Sequence, residues 1–109
     1  MKYNELVSLL RDKPKFEGHV LEYVEEVNVE ENQDATSYTT KVVTRKAEVK
    51  SFRVTGSSHK GIEEELAHQI NDYIKEKNHI VVRSMPTIKR EEYPLNEWLY
   101  IGRARLVAY

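Results

Sequence analysis

The chain has 109 residues with no cysteine, 17 Lys plus Arg against 18 Asp plus Glu, and a formal net charge of −1. That length fits one domain holding one modest core. The missing thiols exclude disulfides, Cys-based zinc sites and a Cys nucleophile and fit a cytoplasmic setting, and the balanced charge leaves any affinity for nucleic acid or lipid to a local patch.

Residues 3 to 12, YNELVSLLRD, place Tyr3, Leu6, Leu9 and Leu10 on one side at helical spacing, and Pro14 ends the run. The opening MKYNELVSLL lacks the apolar centre and small-residue cleavage site of a signal peptide. No apolar run approaches the ~20 residues of a membrane span, so no membrane is expected as a partner.

Residues 19 to 29, HVLEYVEEVNV, fit two patterns. Val20, Leu21, Val24 and Val27 make a helical stripe, while Leu21, Tyr23, Val27 and Val29 make one face of a strand. The β-branched residues and Tyr favour the strand. Charge supports the same choice. Glu17 to Glu31 holds six Glu and no Lys or Arg, whereas Lys41 to Arg53 holds five basic residues and one Glu. A reversal at ENQDA, residues 31 to 35, lays these runs side by side as an antiparallel pair, with Glu25 facing Lys41 and Tyr23 facing Val43.

Residues 36 to 55 are too long for one straight strand in so small a domain. Val43, Ala47 and Val49 are odd-numbered, whereas Phe52 and Val54 are even-numbered. The inward face therefore switches near Lys50 and Ser51, which requires a bulge or bend.

Residues 59 to 77 form a helix on which Ile62, Leu66, Ile70, Tyr73 and Ile74 recur at helical spacing. Glu63, Glu64 and Glu65 lie in its first turns, Lys75 and Lys77 in its last, and Asn78 reads as its stop. Residues 79 to 90 begin as a strand in which Pro86 must sit on an edge or at a bulge. Residues 91 to 97, EEYPLNE, read as a turn, and residues 98 to 109 as a last strand pinned into the sheet at its end. The order predicts an α+β fold: an antiparallel sheet of four to five strands, one long helix across it and a short N-terminal helix.

The wording VTGSSHKGIEEELAHQI, residues 54 to 70, resembles the dodecin family, with its strand, G-(S/T)-S turn and helix opening near a paired Glu. Dodecins are small flavin-binding proteins that assemble into hollow oligomers. The resemblance implies strand, helix, strand, strand over the second half of the chain. His79 stands where dodecins carry the flavin-stacking tryptophan, and Tyr100-Ile101-Gly102 where they carry a glutamine. INDYIKEKNHIVVRSMPT followed by YIGRARLVAY also resembles small sporulation-associated and phage-borne proteins of Gram-positive bacteria, which implies the same topology and no catalytic residue.

Three candidate chemistries follow. Gly56, Ser57, Ser58 and Lys60 lie where a helix N-terminus can hold an anion, although the Walker spacing is absent and Ser57 or Ser58 can simply cap the helix. Arg83, Lys89, Arg90, Arg103 and Arg105, with Tyr100 nearby, offer a basic and aromatic sheet surface of the kind that holds single-stranded nucleic acid. The Tyr-rich, strand-rich composition offers sheet edges and a helix face to a protein partner or to a second copy, with a dimer the expected homo-oligomer. The four histidines include no i, i+4 pair, no serine stands in G-x-S-x-G, and the carboxylates are patterned as dipole and cross-strand partners. Neither an enzyme, a metal site nor a cofactor is expected. The leading expectation is a non-catalytic binding or assembly module, with nucleic-acid binding and an anion or flavin-type ligand at the Gly56–Lys60 turn as alternatives.

Overall fold

Two helices and one face of a sheet share the apolar residues that the periodicity singles out. The computed structural model describes residues 1–30, 38–93 and 97–109, and of Glu30, Tyr38, Tyr93 and Glu97 the backbone alone. The elements are α1 (Tyr3–Arg11), β1 (Val20–Glu30), β2 (Tyr38–Glu48), β3 (Lys50–Gly56), α2 (His59–Ile74), β4 (Ile80–Tyr93) and β5 (Glu97–Ala108). The reversal at residues 31 to 35 lies outside the described residues, as do positions 94–96 of the second turn.

The strands form two antiparallel sheets, a β1–β2 ribbon and a three-stranded sheet ordered β3-β5-β4. This corrects the expectation of one sheet of four to five strands. The reason lies at Val49, which belongs to neither β2 nor β3. There the inward face passes from odd to even positions, and the chain leaves the ribbon for the second sheet. The bend was expected one or two residues later, and its consequence is larger than a kink.

The core is one layer of helices on one face of β3-β5-β4. Leu6 and Leu10 of α1, together with Ile62, Leu66, Ala67, Ile70 and Ile74 of α2, pack with Phe52, Val54, Val82, Ala104, Leu106 and Ala108. Each helix buries the stripe that helical spacing aligns, and each strand contributes alternate residues. Lys15 Nζ donates to the carbonyls of Leu10 at 2.8 Å and Arg11 at 3.1 Å, satisfying the free end of α1. Phe16 N donates to Val82 O and Val82 N to Pro14 O, which ties the segment after α1 to the β4 edge.

Some element boundaries differ from those expected. The helix predicted to residue 77 ends at Ile74, and Glu76 turns the chain with a φ of 65°. Lys75 and Lys77 therefore follow the helix instead of closing its last turn. Glu91–Tyr93, expected in a turn, extend β4. Pro86 sits, as expected, in an irregular stretch, because the β4–β5 register shifts between Ser84 and Thr87 and also between Val82 and Ser84.

The ribbon keeps the expected faces but not the expected register. Glu25 pairs with Val43 and Tyr23 with Arg45, two residues away from the reading above. Charge still matches across it, through Arg45 Nε to Glu25 Oε2 at 3.2 Å and Lys46 Nζ to Glu22 Oε1 at 3.6 Å. At its base Tyr23 stacks on Tyr109 with ring centroids 3.9 Å apart, and Tyr109 stacks on His79 at 4.9 Å. Backbone bonds in both directions between His79 and Tyr109 pin the end of the chain, as its strand pattern predicted. Beyond that base the ribbon runs outward, giving extents of 70 × 25 × 24 Å.

Candidate functional site

The helices cover one face of β3-β5-β4, and strand alternation dictates what the other face carries. Phe52, Val54, Gly102, Ala104 and Leu106 are buried toward the helices, so Ser51, Arg53, Thr55, Arg103 and Arg105 point away from them, and all five are exposed. Arg53 is directly opposite Arg103, Ser51 directly opposite Arg105, and Lys89 opposite Ile101. Cross-strand partners share a face. Arg53, Lys89, Arg103 and Arg105 therefore lie together on the side without a helix, where Ile101 and Val107 are buried among them.

Two one-residue irregularities in β4 lie between Val82 and Thr87. Together they restore parity, so Val81 and Lys89 face the same side although the strand is not regular. Arg83 falls at the first irregularity and lines a depression of about 340 Å³ with Arg105, Ser51, His19 and Glu48. None of Arg53, Arg83, Lys89, Arg103 or Arg105 has a carboxylate oxygen within 4.0 Å among the described residues. Two like charges directly opposite each other in an antiparallel pair are unfavourable. The Arg53–Arg103 pair is thus a local cost that the fold itself does not relieve.

The six residues named from the sequence divide. Arg83, Lys89, Arg103 and Arg105 meet on the side opposite the helices. Arg90 pairs with Tyr100, an even-numbered β5 position, and so falls on the helix side. There the Arg90 guanidinium lies 3.7 Å from the centre of the Trp98 ring, and Tyr100 meets His59 edge-on at 5.5 Å. Trp98 is 44% exposed. The aromatic rings are consequently separated from the main basic surface. Arg53 was missed by the sequence reading. Its signal was present, because Phe52 and Val54 fix the neighbouring inward positions, but its alignment with Arg103 depends on β3 pairing with β5.

The Gly56–Lys60 turn has the geometry of a cap. Ser58 Oγ accepts from Gly61 N at 3.2 Å, and Ile62 N donates to Ser58 O at 3.0 Å. Gly56 has no positive φ; its lack of a side chain lets Ile62 approach, since a Cβ there would lie 3.1 Å from Ile62 Cδ1. Lys60 lines a separate depression of about 670 Å³ together with Tyr3, Glu63, Glu64 and His68. His59 Nδ1 lies 3.0 Å from Glu63 Oε1. Lys2 and Lys60 match the two glutamates in number there, so the depression has no acidic excess. Partial burial, and secondarily the Glu63 carboxylate, hold the Tyr3 hydroxyl above its ordinary pKa.

Among the described residues, no three His, Asp or Glu side chains are grouped to hold a metal ion. No helix among them is long and apolar enough to cross a membrane. Comparison with protein-family models, with curated proteins and with solved structures finds no match to this chain.

Proposed function

We propose that this chain is a non-catalytic binding module that holds single-stranded nucleic acid, by its phosphates, across the face of β3-β5-β4 opposite the helices. The observation that carries the reading is the alignment of Arg53 with Arg103 beside Arg105, with no carboxylate among the described residues within 4.0 Å of them. A backbone of repeated negative charges relieves that repulsion and gains charge-assisted hydrogen bonds from the guanidinium forks. Trp98 and Tyr100 lie on the other side, so grip by base stacking is secondary and little sequence preference is expected.

The test is fluorescence anisotropy of a labelled single-stranded oligonucleotide at low salt, followed by a salt titration. With about three phosphates neutralised, log K should fall against log salt with a slope near −2. The double variant Arg53→Ala, Arg103→Ala should weaken binding at low salt and flatten the slope by about one. An anisotropy that stays flat at low salt disposes of the reading.

A second reading, self-association, has its own observation. Val24 and Val42 are 70% and 67% exposed on the ribbon face whose partners are Thr44 and Glu26. A two-stranded ribbon standing alone is marginal in water, and a second copy would give it the third strand it lacks. Light scattering that reports a monomer at every concentration rejects this reading and leaves the first untouched.

A further inference from the structure

Where the ribbon joins the sheet, the depression of about 340 Å³ is walled by His19 and Glu48 on the ribbon side and by Ser51, Arg83 and Arg105 on the sheet side. Each arginine arrives there for a separate reason. Arg105 is brought by register, standing opposite Ser51 on β3 and Ser84 on β4. Arg83 is brought by the irregularity between Val82 and Ser84, where β4 carries one residue more than β5. Such bulges redirect a side chain.

Arg83 is only partly exposed, and its Nε is closed to solvent with no hydrogen-bond partner among the described residues. A buried donor without an acceptor is costly, and for a guanidinium the cost is greater than for a neutral group. Glu48 shares the depression but stays beyond 4.0 Å of both arginines. The protein therefore places two guanidiniums, a hydroxyl and an imidazole around one small space whose one carboxylate, Glu48, pairs with neither arginine.

We infer that this depression is a seat for one phosphate group. Two planar forks match the tetrahedral oxygens of phosphate, and the hydroxyl and imidazole can complete its shell. The seat stands on its own for free inorganic phosphate; its use as the anchoring point of a nucleic-acid strand rests on the reading proposed above. Because its walls come from both the ribbon and the sheet, an occupant ties the two together, close to the Val49 N to His19 O bond that already joins the ribbon's ends.

Inorganic phosphate titrated at low ionic strength into the ¹⁵N-labelled chain, with chloride as the control, tests the seat. Saturable shifts are expected at His19, Ser51, Arg83 and Arg105, with smaller ones at Arg53. Arg83→Gln should weaken phosphate binding by about tenfold, and Arg83→Lys should recover only part of it, because charge returns without the fork. Lys75→Ala, just past the end of α2 and away from the depression, should leave phosphate binding unchanged. A parallel oligonucleotide titration separates the sources. If Arg83→Gln weakens both ligands, the seat holds a backbone phosphate; if it weakens phosphate alone, the seat serves a free anion. Wild-type spectra that move no more with phosphate than with chloride overturn the seat, whatever the oligonucleotide does. Phosphate binding with no oligonucleotide binding upholds the seat and removes only the strand reading.

Discussion

Gly102 and Gly61 carry opposite predictions from the same substitution. Gly102 is buried where β5 passes beneath α2, and a Cβ there would lie 2.7 Å from Ile62 Cγ2 and 3.3 Å from Leu66 Cδ2. Ile62 is β-branched and 2% exposed, so its Cγ2 has no alternative position to swing into. Gly102→Ala should therefore destabilise by about 1–3 kcal/mol through overpacking. Gly61 is exposed in the first turn of α2, and its Cβ would meet only Ser58 at 3.5 Å, an ordinary contact. Gly61→Ala should stabilise by about 0.5–1 kcal/mol, because the helix no longer bears glycine's backbone entropy. Urea unfolding of both variants checks the pair, and equal shifts would contradict this packing of β5 against α2. Tyr3 adds a pH prediction at this scale. Its hydroxyl titrates above the ordinary value of 10.0, so the fold favours the neutral form. That contribution is complete below pH 10 and is lost as pH rises through the folded value. Tyr3→Phe should lose less stability than the parent between neutral and strongly alkaline pH, measured by thermal unfolding. The same scale shows why the basic surface was only partly legible. Arg103 and Arg105 could be placed on one face by counting alone. Tyr100 differs from Arg103 in parity, which was readable but was overridden by nearness in sequence. Arg53 required a strand pairing that no local pattern specifies.

At the scale of elements, the helices and most strands were readable from their own period and β1 from its β-branched residues and charge, whereas the partners of the strands were not. The β1–β2 register illustrates the limit. A shift of two residues leaves every side chain on its original face, so hydrophobic alternation cannot distinguish the two pairings. Only the connection and the cross-strand charges can, and exposed ion pairs contribute no more than about 1 kcal/mol each. Lys46 with Glu22 and Arg45 with Glu25 are satisfied in the observed register as well as Glu25 with Lys41 would have been in the other. The division into two sheets had the same origin, since the parity change before Phe52 announced a bend but not a change of partner. The bend also makes the ribbon's attachment depend on few groups. Tyr109, held by His79 and stacked on Tyr23, is the main one. Tyr109→Ala should release the ribbon while sparing the core, because Leu106 and Ala108 remain packed under the helices. Limited proteolysis should then cut within residues 20–48 several times faster, with the main thermal transition moved by only a few degrees. Unchanged cleavage would place the attachment elsewhere, for instance in the Val49 N to His19 O bond.

The whole molecule departs from the dimensions of an ordinary chain of its length. A compact domain of this size has a radius of gyration of about 13 Å; this one's is 19.1 Å, with a long axis of 70 Å. The excess comes from the ribbon at one end and from the β4–β5 pair at the other, which continues past the last β3 pairing at Gly56 and Tyr100. Such a shape exposes backbone edges that a compact fold would cover. Edge strands are protected by charge, by twist or by a partner. The ribbon has charge on both strands, yet it also presents Val24 and Val42, which charge does not shield. The two proposed uses of this shape make different demands on concentration. Polyanion binding through the β3-β5-β4 face needs one copy. Pairing of ribbons needs two, and it should add amide protection to β1 and β2 only as the chain is concentrated. Hydrogen exchange from micromolar to millimolar protein therefore divides the readings. If ribbons pair, protection over residues 21–29 rises with concentration while that of β5 does not, and Val24→Asp abolishes the rise. If protection of both sheets is independent of concentration, the ribbon is held by contacts within one copy, the self-association reading falls, and small-angle scattering should return a monomer with a radius of gyration close to 19.1 Å.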